Sequence, residues 1–82
     1  MEFYFGRSAR KHRIGRAHAL AAISNSGRPE VLSTADGPRL HWVAPDDRGV
    51  ELHIIGRIAV DDPDLVIIYH VMPTSFDHIE QG

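Results

Sequence analysis

Between Val50 and Val60 apolar and polar side chains take turns. Val50, Leu52, Ile54, Ile58 and Val60 fall on one side, and Glu51, His53, Ile55, Arg57 and Ala59 on the other. A period of two is that of a half-buried strand. Shorter runs before and after it predict three more strands, over residues 30–34, 39–44 and 65–72, with Pro73 closing the last because proline cannot continue a ladder. The segments between them, Ala35-Asp36-Gly37-Pro38, Pro45-Asp46-Asp47-Arg48-Gly49 and Asp61-Asp62-Pro63-Asp64, are made of turn residues. Sequential strands joined by tight turns predict an antiparallel meander of four strands.

Ahead of the strands the period changes. Ser8 can cap a short helix through Arg13, which Gly15 interrupts. A second helical stretch from Arg16 places Ala17, Leu20 and Ile23 on one face and stops at Ser24-Asn25-Ser26-Gly27. A helix face and a sheet face each need a cover, and they supply one another. The expected architecture is α+β: an N-terminal helical segment over 7–26, packed on one face of a four-stranded antiparallel sheet over 30–73, with a short tail over 74–82. Leu52, Ile54, Ile58 and Ile67 are the expected floor for the helix.

Eighty-two residues with 43% hydrophobic content make one domain with one core. No cysteine is present, which excludes disulfides, thiolate metal sites and cysteine nucleophiles and fits a cytoplasmic setting. Met1–Phe5 is short and followed by charges, unlike a secretory leader. The apolar run Leu65–Tyr69 is far too short to span a bilayer, so no membrane partner is expected.

Net charge is −2, but its distribution is uneven. Arg7, Arg10, Lys11, Arg13 and Arg16 place five of the nine basic residues within ten positions, leaving four bases against eleven acids elsewhere. Such a molecule can turn one positive face toward a phosphate backbone. The bland alternative is a solvated helix start.

If the turn after Val60 has four residues, Val60 pairs with Leu65, Ile58 with Ile67, Arg57 with Ile68, Ile55 with His70 and His53 with Met72. Side chains opposite each other share a sheet face. Glu51, His53, Arg57 and His70 are then together on the face away from the helix, an inference that one bulge would break. A carboxylate, two imidazoles and a guanidinium are the parts that RNA cleavage by proton transfer requires. Histidine can take or give a proton near neutrality, and arginine presents a planar fork to phosphate oxygens. The alternative is an ordinary polar sheet face. The spacing of His41, His53 and His70 matches no common metal-binding pattern, and no glycine-rich phosphate loop is present, so neither metal nor cofactor is expected.

The run Ser8-Ala9-Arg10-Lys11-His12-Arg13-Ile14-Gly15, followed by a helix with Ala19 and Ala22, resembles the opening of BrnT-like toxins. Gly49-Val50-Glu51-Leu52 and Tyr69-His70-Val71-Met72-Pro73 extend that resemblance, within the wider RelE/ParE-type class, to residues 7–73. It implies a toxin of a toxin–antitoxin pair, an endoribonuclease acting on free or ribosome-bound mRNA. Its partner would be a cognate antitoxin, often of ribbon-helix-helix type. The resemblance also implies roles for Lys11, His12 and Arg13 on RNA and for Arg57 and His70 in the site. The expected site therefore comprises Glu51, His53, Arg57 and His70 for catalysis, and Arg7, Arg10, Lys11, His12, Arg13 and Arg16 for RNA. Two other readings stay open: a non-catalytic module blocking a partner such as gyrase, and an inactive member kept for interaction.

Overall fold

Strand β4 (Glu51–Ala59) carries the alternation into three dimensions: Leu52, Ile54 and Gly56 are buried, while Glu51 and Arg57 are exposed. The structure, a computed structural model, describes residues 1–75; most of the expected tail, residues 76–82, lies outside them. The chain begins with β1 (Glu2–Phe5), makes a 3-10 turn (Arg7–Arg10) and enters α1 (Arg16–Ser26). Four further strands follow: β2 (Glu30–Thr34), β3 (Gly37–Pro45), β4 and β5 (Asp62–Pro73). The spatial order is β1-β5-β4-β3-β2, antiparallel except for the parallel pair β1–β5.

The α+β class holds, but the sheet is five-stranded and mixed rather than four-stranded and antiparallel. The additional strand is β1, too short to announce itself by period alone. Its Phe3 and Phe5 pack against the core and Tyr4 points outward, with Phe3 meeting Trp42 edge-on at 6.1 Å between ring centres. A parallel neighbour requires a crossover. Here the chain leaves β1 at one edge, crosses one face as α1, and returns through the meander from the other edge.

The helical segment is also shorter than expected. Only Arg7–Arg10 forms the first turn, and α1 starts after Gly15 with no side-chain cap. Gly27 ends α1 with a positive φ of 75°, a conformation glycine adopts without a Cβ clash. The buried face of α1 is Ala19, Ala22 and Ile23; Leu20 is half-buried and Ala17 exposed, against the expected Ala17/Leu20/Ile23 face. The two alanines let the helix settle close over β3, where Trp42 supplies the bulk they lack.

Because α1 lies over β3 and only the near part of β4, the tip of the β4–β5 hairpin is uncovered. Ile58 and Val60, expected beneath the helix, are 39% and 96% exposed. The turn itself is Val60-Asp61, with Ala59 paired to Asp62, rather than Asp61–Asp64. Farther along, Ile55 pairs with His70 but Gly56 with Ile68, leaving Tyr69 as an unpaired bulge residue. The expected pairs Ile55–His70 and His53–Met72 are present; Arg57 faces Ile67 and Ile58 faces Val66 instead of Ile68 and Ile67. Val66, Ile68 and Val71 therefore enter the core, and Ile67 joins the open face beside Arg57. No helix among the described residues is long and apolar enough to cross a membrane.

Candidate active site on the open sheet face

On β3 the core residues Leu40, Trp42 and Ala44 alternate with Arg39, His41 and Val43, which the pleat sends to the face away from α1. His41 stands opposite Ile55, one step along the sheet from His53, since Val43 is the partner of His53. Nδ1 of His41 and Nε2 of His53 lie 3.2 Å apart, a hydrogen bond in which one ring donates and the other accepts. The ring of His70 follows at 5.5 Å from that of His53, and the ring of His12 at 6.4 Å from that of His70. Among the described residues four imidazoles thus form a row across β3, β4 and β5 that reaches the loop preceding α1.

The environment of His41 differs from that of a free imidazole. Burial lowers its pKa, the neighbouring His53 and Arg39 lower it further, and Glu30 opposes them. Its Nε2 is enclosed and makes no hydrogen bond, so Nδ1 is the nitrogen turned to the row. The neutral ring is the favoured form.

The four residues expected to converge on this face are separated into three places. His53 and His70 meet in the row. Arg57 pairs across the sheet with Arg39, and both line a cavity of about 430 Å³ with Tyr69, Thr34 and Asp36. Four residue steps, about 13 Å, separate Arg57 from His53 along β4. Glu51 sits at the other end of the strand, where its carboxylate accepts a hydrogen bond from the Thr74 hydroxyl at 2.9 Å.

The basic segment divides in the same way. Arg10, Arg13 and Arg16 line a groove of about 530 Å³ whose other walls include Phe3, Phe5 and Ile14, and the Arg16 guanidinium lies 5.8 Å from the centre of the Phe5 ring. Arg7 and Lys11 are exposed and do not line the groove. Arg13 holds a left-handed backbone, φ 56°, which costs a non-glycine residue on the order of 1 kcal/mol. The loop over 11–15 serves both features, giving His12 to the imidazole row and Arg13 to the groove.

His41, Arg39 and Tyr69 are not among the expected site residues. The alternation of β3 around Trp42 is a signal that could find the first two. Tyr69 gives no such signal, because it faces the cavity through a bulge.

A second polar cluster lies at the β3–β4 loop. His18 of α1 meets Asp47 at 2.5 Å, and Asn25 donates to the Pro45 carbonyl at 2.9 Å, tying the helix to the loop. His18, Asp46 and Asp47 are spaced as metal ligands could be, but the Asp46 oxygens already accept four hydrogen bonds from Arg48 and Val50. No family model matches the chain, and no curated protein or solved structure matches it either.

Proposed function

We propose that this protein is an endoribonuclease that cleaves by proton transfer, and that it acts as the cytoplasmic toxin of a toxin–antitoxin pair. The observation that carries the reading is the imidazole row, which meets an arginine-lined groove at the loop 11–15. In the reaction the RNA 2′-oxygen bonds to phosphorus and the P–O5′ bond breaks. One imidazole of the His53–His70 pair takes the 2′-hydroxyl proton, and the other, protonated beforehand, gives one to the departing 5′-oxygen. His41, hydrogen-bonded to His53, fixes the tautomer of that ring. Arg57 and Arg39, set apart from the His53–His70 pair along the sheet, offer guanidinium forks to a neighbouring phosphate of the same RNA strand. Glu51, held by Thr74, takes no part in these steps. The arginine groove holds the strand on one side of the cut. The antitoxin would be a small protein, of ribbon-helix-helix type if the resemblance extends to the partner.

The test is cleavage of RNA, free and ribosome-bound, by the purified chain in the presence of a chelator. Activity should follow a bell-shaped pH profile. It should fall about 10²–10⁴-fold in His70→Ala, and Arg57→Ala should weaken RNA binding more than it slows the cut. Growth arrest with no cleavage of any RNA would point instead to a module that blocks a protein partner. That rival draws on β2, an open edge strand with all five residues exposed, Val31 and Leu32 among them.

A further inference from the structure

Two imidazole nitrogens 3.2 Å apart answer to a hydrogen bond, and they answer equally to a chelate. A zinc-like ion bound at 2.0–2.1 Å by two imidazoles in a tetrahedral arrangement separates the nitrogens by about 3.3–3.4 Å. We propose that Nδ1 of His41 and Nε2 of His53 chelate one divalent transition-metal ion of the zinc, nickel or copper type, with solvent completing its coordination. Imidazole is the side chain these ions favour. The two donors stand on adjacent antiparallel strands, so the sheet and not a loop fixes their separation.

The geometry selects the donor atoms. Nε2 of His41 is enclosed, which leaves Nδ1 to face the partner ring. Nδ1 and Nε2 of the two rings share one proton between them, and an ion taking that place displaces it. Of the charged neighbours that act on His41, Arg39 opposes a cation and Glu30 favours one. The competing metal-like cluster, His18 with Asp46 and Asp47, has its Asp46 oxygens committed to Arg48 and Val50.

Metal binding at this pair needs only the geometry of the rings and stands whether or not the protein cleaves RNA. Where the ribonuclease reading holds as well, the ion replaces the His41–His53 hydrogen bond that fixes the His53 tautomer and inhibits cleavage. The experiment is calorimetric titration of zinc chloride into the full-length chain at neutral pH, repeated with His41→Asn, His53→Asn and His18→Asn. The expected result is one ion per chain, with affinity falling at least about tenfold in the first two variants and unchanged in the third. Ring-nitrogen resonances of the unsubstituted protein supply a reading that does not depend on folding of the variants: Nδ1 of His41 and Nε2 of His53 should shift together on zinc addition. No saturable binding, resonances of the pair that do not move, or binding lost only in His18→Asn would each overturn the proposal. Zinc binding by a protein that, freed of metal by a chelator, cleaves no RNA would leave it standing and sink the ribonuclease reading alone.

Discussion

Asp46 shows how much one side chain can organise. It is buried, yet its Oδ1 accepts the backbone N–H groups of Arg48 at 2.8 Å and Val50 at 3.0 Å, while Oδ2 takes Nε and Nη2 of Arg48 at 3.0 and 2.7 Å. The carboxylate satisfies donors that the turn leaves free, which is why Pro45–Gly49 holds one shape. Burial pushes the Asp46 pKa up, but the Arg48 side chain and the N–H groups of Arg48 and Val50 outweigh it, and the net shift is downward from 3.8. The folded chain therefore binds fewer protons at this group than the unfolded chain does. The stability it contributes is complete above pH 3.8 and is lost as pH falls from there through the lower, folded value. Asp46→Asn keeps an acceptor for the backbone but loses the charge that holds Arg48. It should melt at lower temperature near neutrality and lack this part of the acid-induced loss. Thermal melts from about pH 7 to about pH 2 check both, and parallel curves for the two proteins would remove Asp46 from the acid limb.

Among the elements, the β4–β5 pair decides what the open face displays. The bulge at Tyr69 lies opposite the step from Ile55 to Gly56, and Gly56 is buried where the register changes. A Cβ there would stand 2.8 Å from Ile68 Cδ1, 3.0 Å from the Ile67 carbonyl oxygen and 3.1 Å from Val66 Cγ1. The Ile68 side chain must move, and the Ile67 carbonyl, which is backbone, must give by a few tenths of an ångström. Gly56→Ala should destabilise by about 1–3 kcal/mol, more than the roughly 0.4–1 kcal/mol that a less flexible unfolded chain returns. The denaturant midpoint should drop with its slope unchanged; a midpoint that rises would show that the bulge absorbs the methyl. The same bulge marks where sequence reading runs out. Alternation around Leu52 and Ile54 is enough to place His53, and counting back from the turn puts His70 on the same face. The turn has two residues and not the four expected, and the count still reaches both residues because the register shifts at Ile58/Ala59 and Ile55/Gly56 together make up the difference. Beyond the bulge the run Leu65–Tyr69 is continuously apolar, so a shift by one residue leaves the pattern unaltered, and the pattern sends Ile67 to the wrong face. β1 is hidden for a different reason. Four residues pair as a strand only because β5 and the core receive Phe3 and Phe5, a tertiary cause that period cannot reveal.

At the scale of the molecule, charge and shape act together. The basic N-terminal segment is joined to an acidic remainder, and folding sorts its members, putting Arg10, Arg13 and Arg16 in one groove beside aromatic rings. Clustered arginine beside Phe3 and Phe5 suits single-stranded nucleic acid, which offers phosphates to the one and bases to the other. Each phosphate contact on a single strand contributes about 0.7 to the slope of log affinity against log salt. Replacing Arg10 and Arg13 together by Ala should therefore weaken RNA binding and flatten that slope by about 1.4. The control is Arg28→Ala, which removes one exposed charge from the loop after α1, outside the groove. If folding has built a phosphate track, the double variant loses slope and Arg28→Ala does not. If all three arginines only adjust the overall charge, the slope falls in proportion to the charge removed wherever it lies. Binding titrations with a single-stranded RNA over a series of salt concentrations separate the two outcomes. An unchanged slope in the double variant would leave the groove without a role in RNA binding.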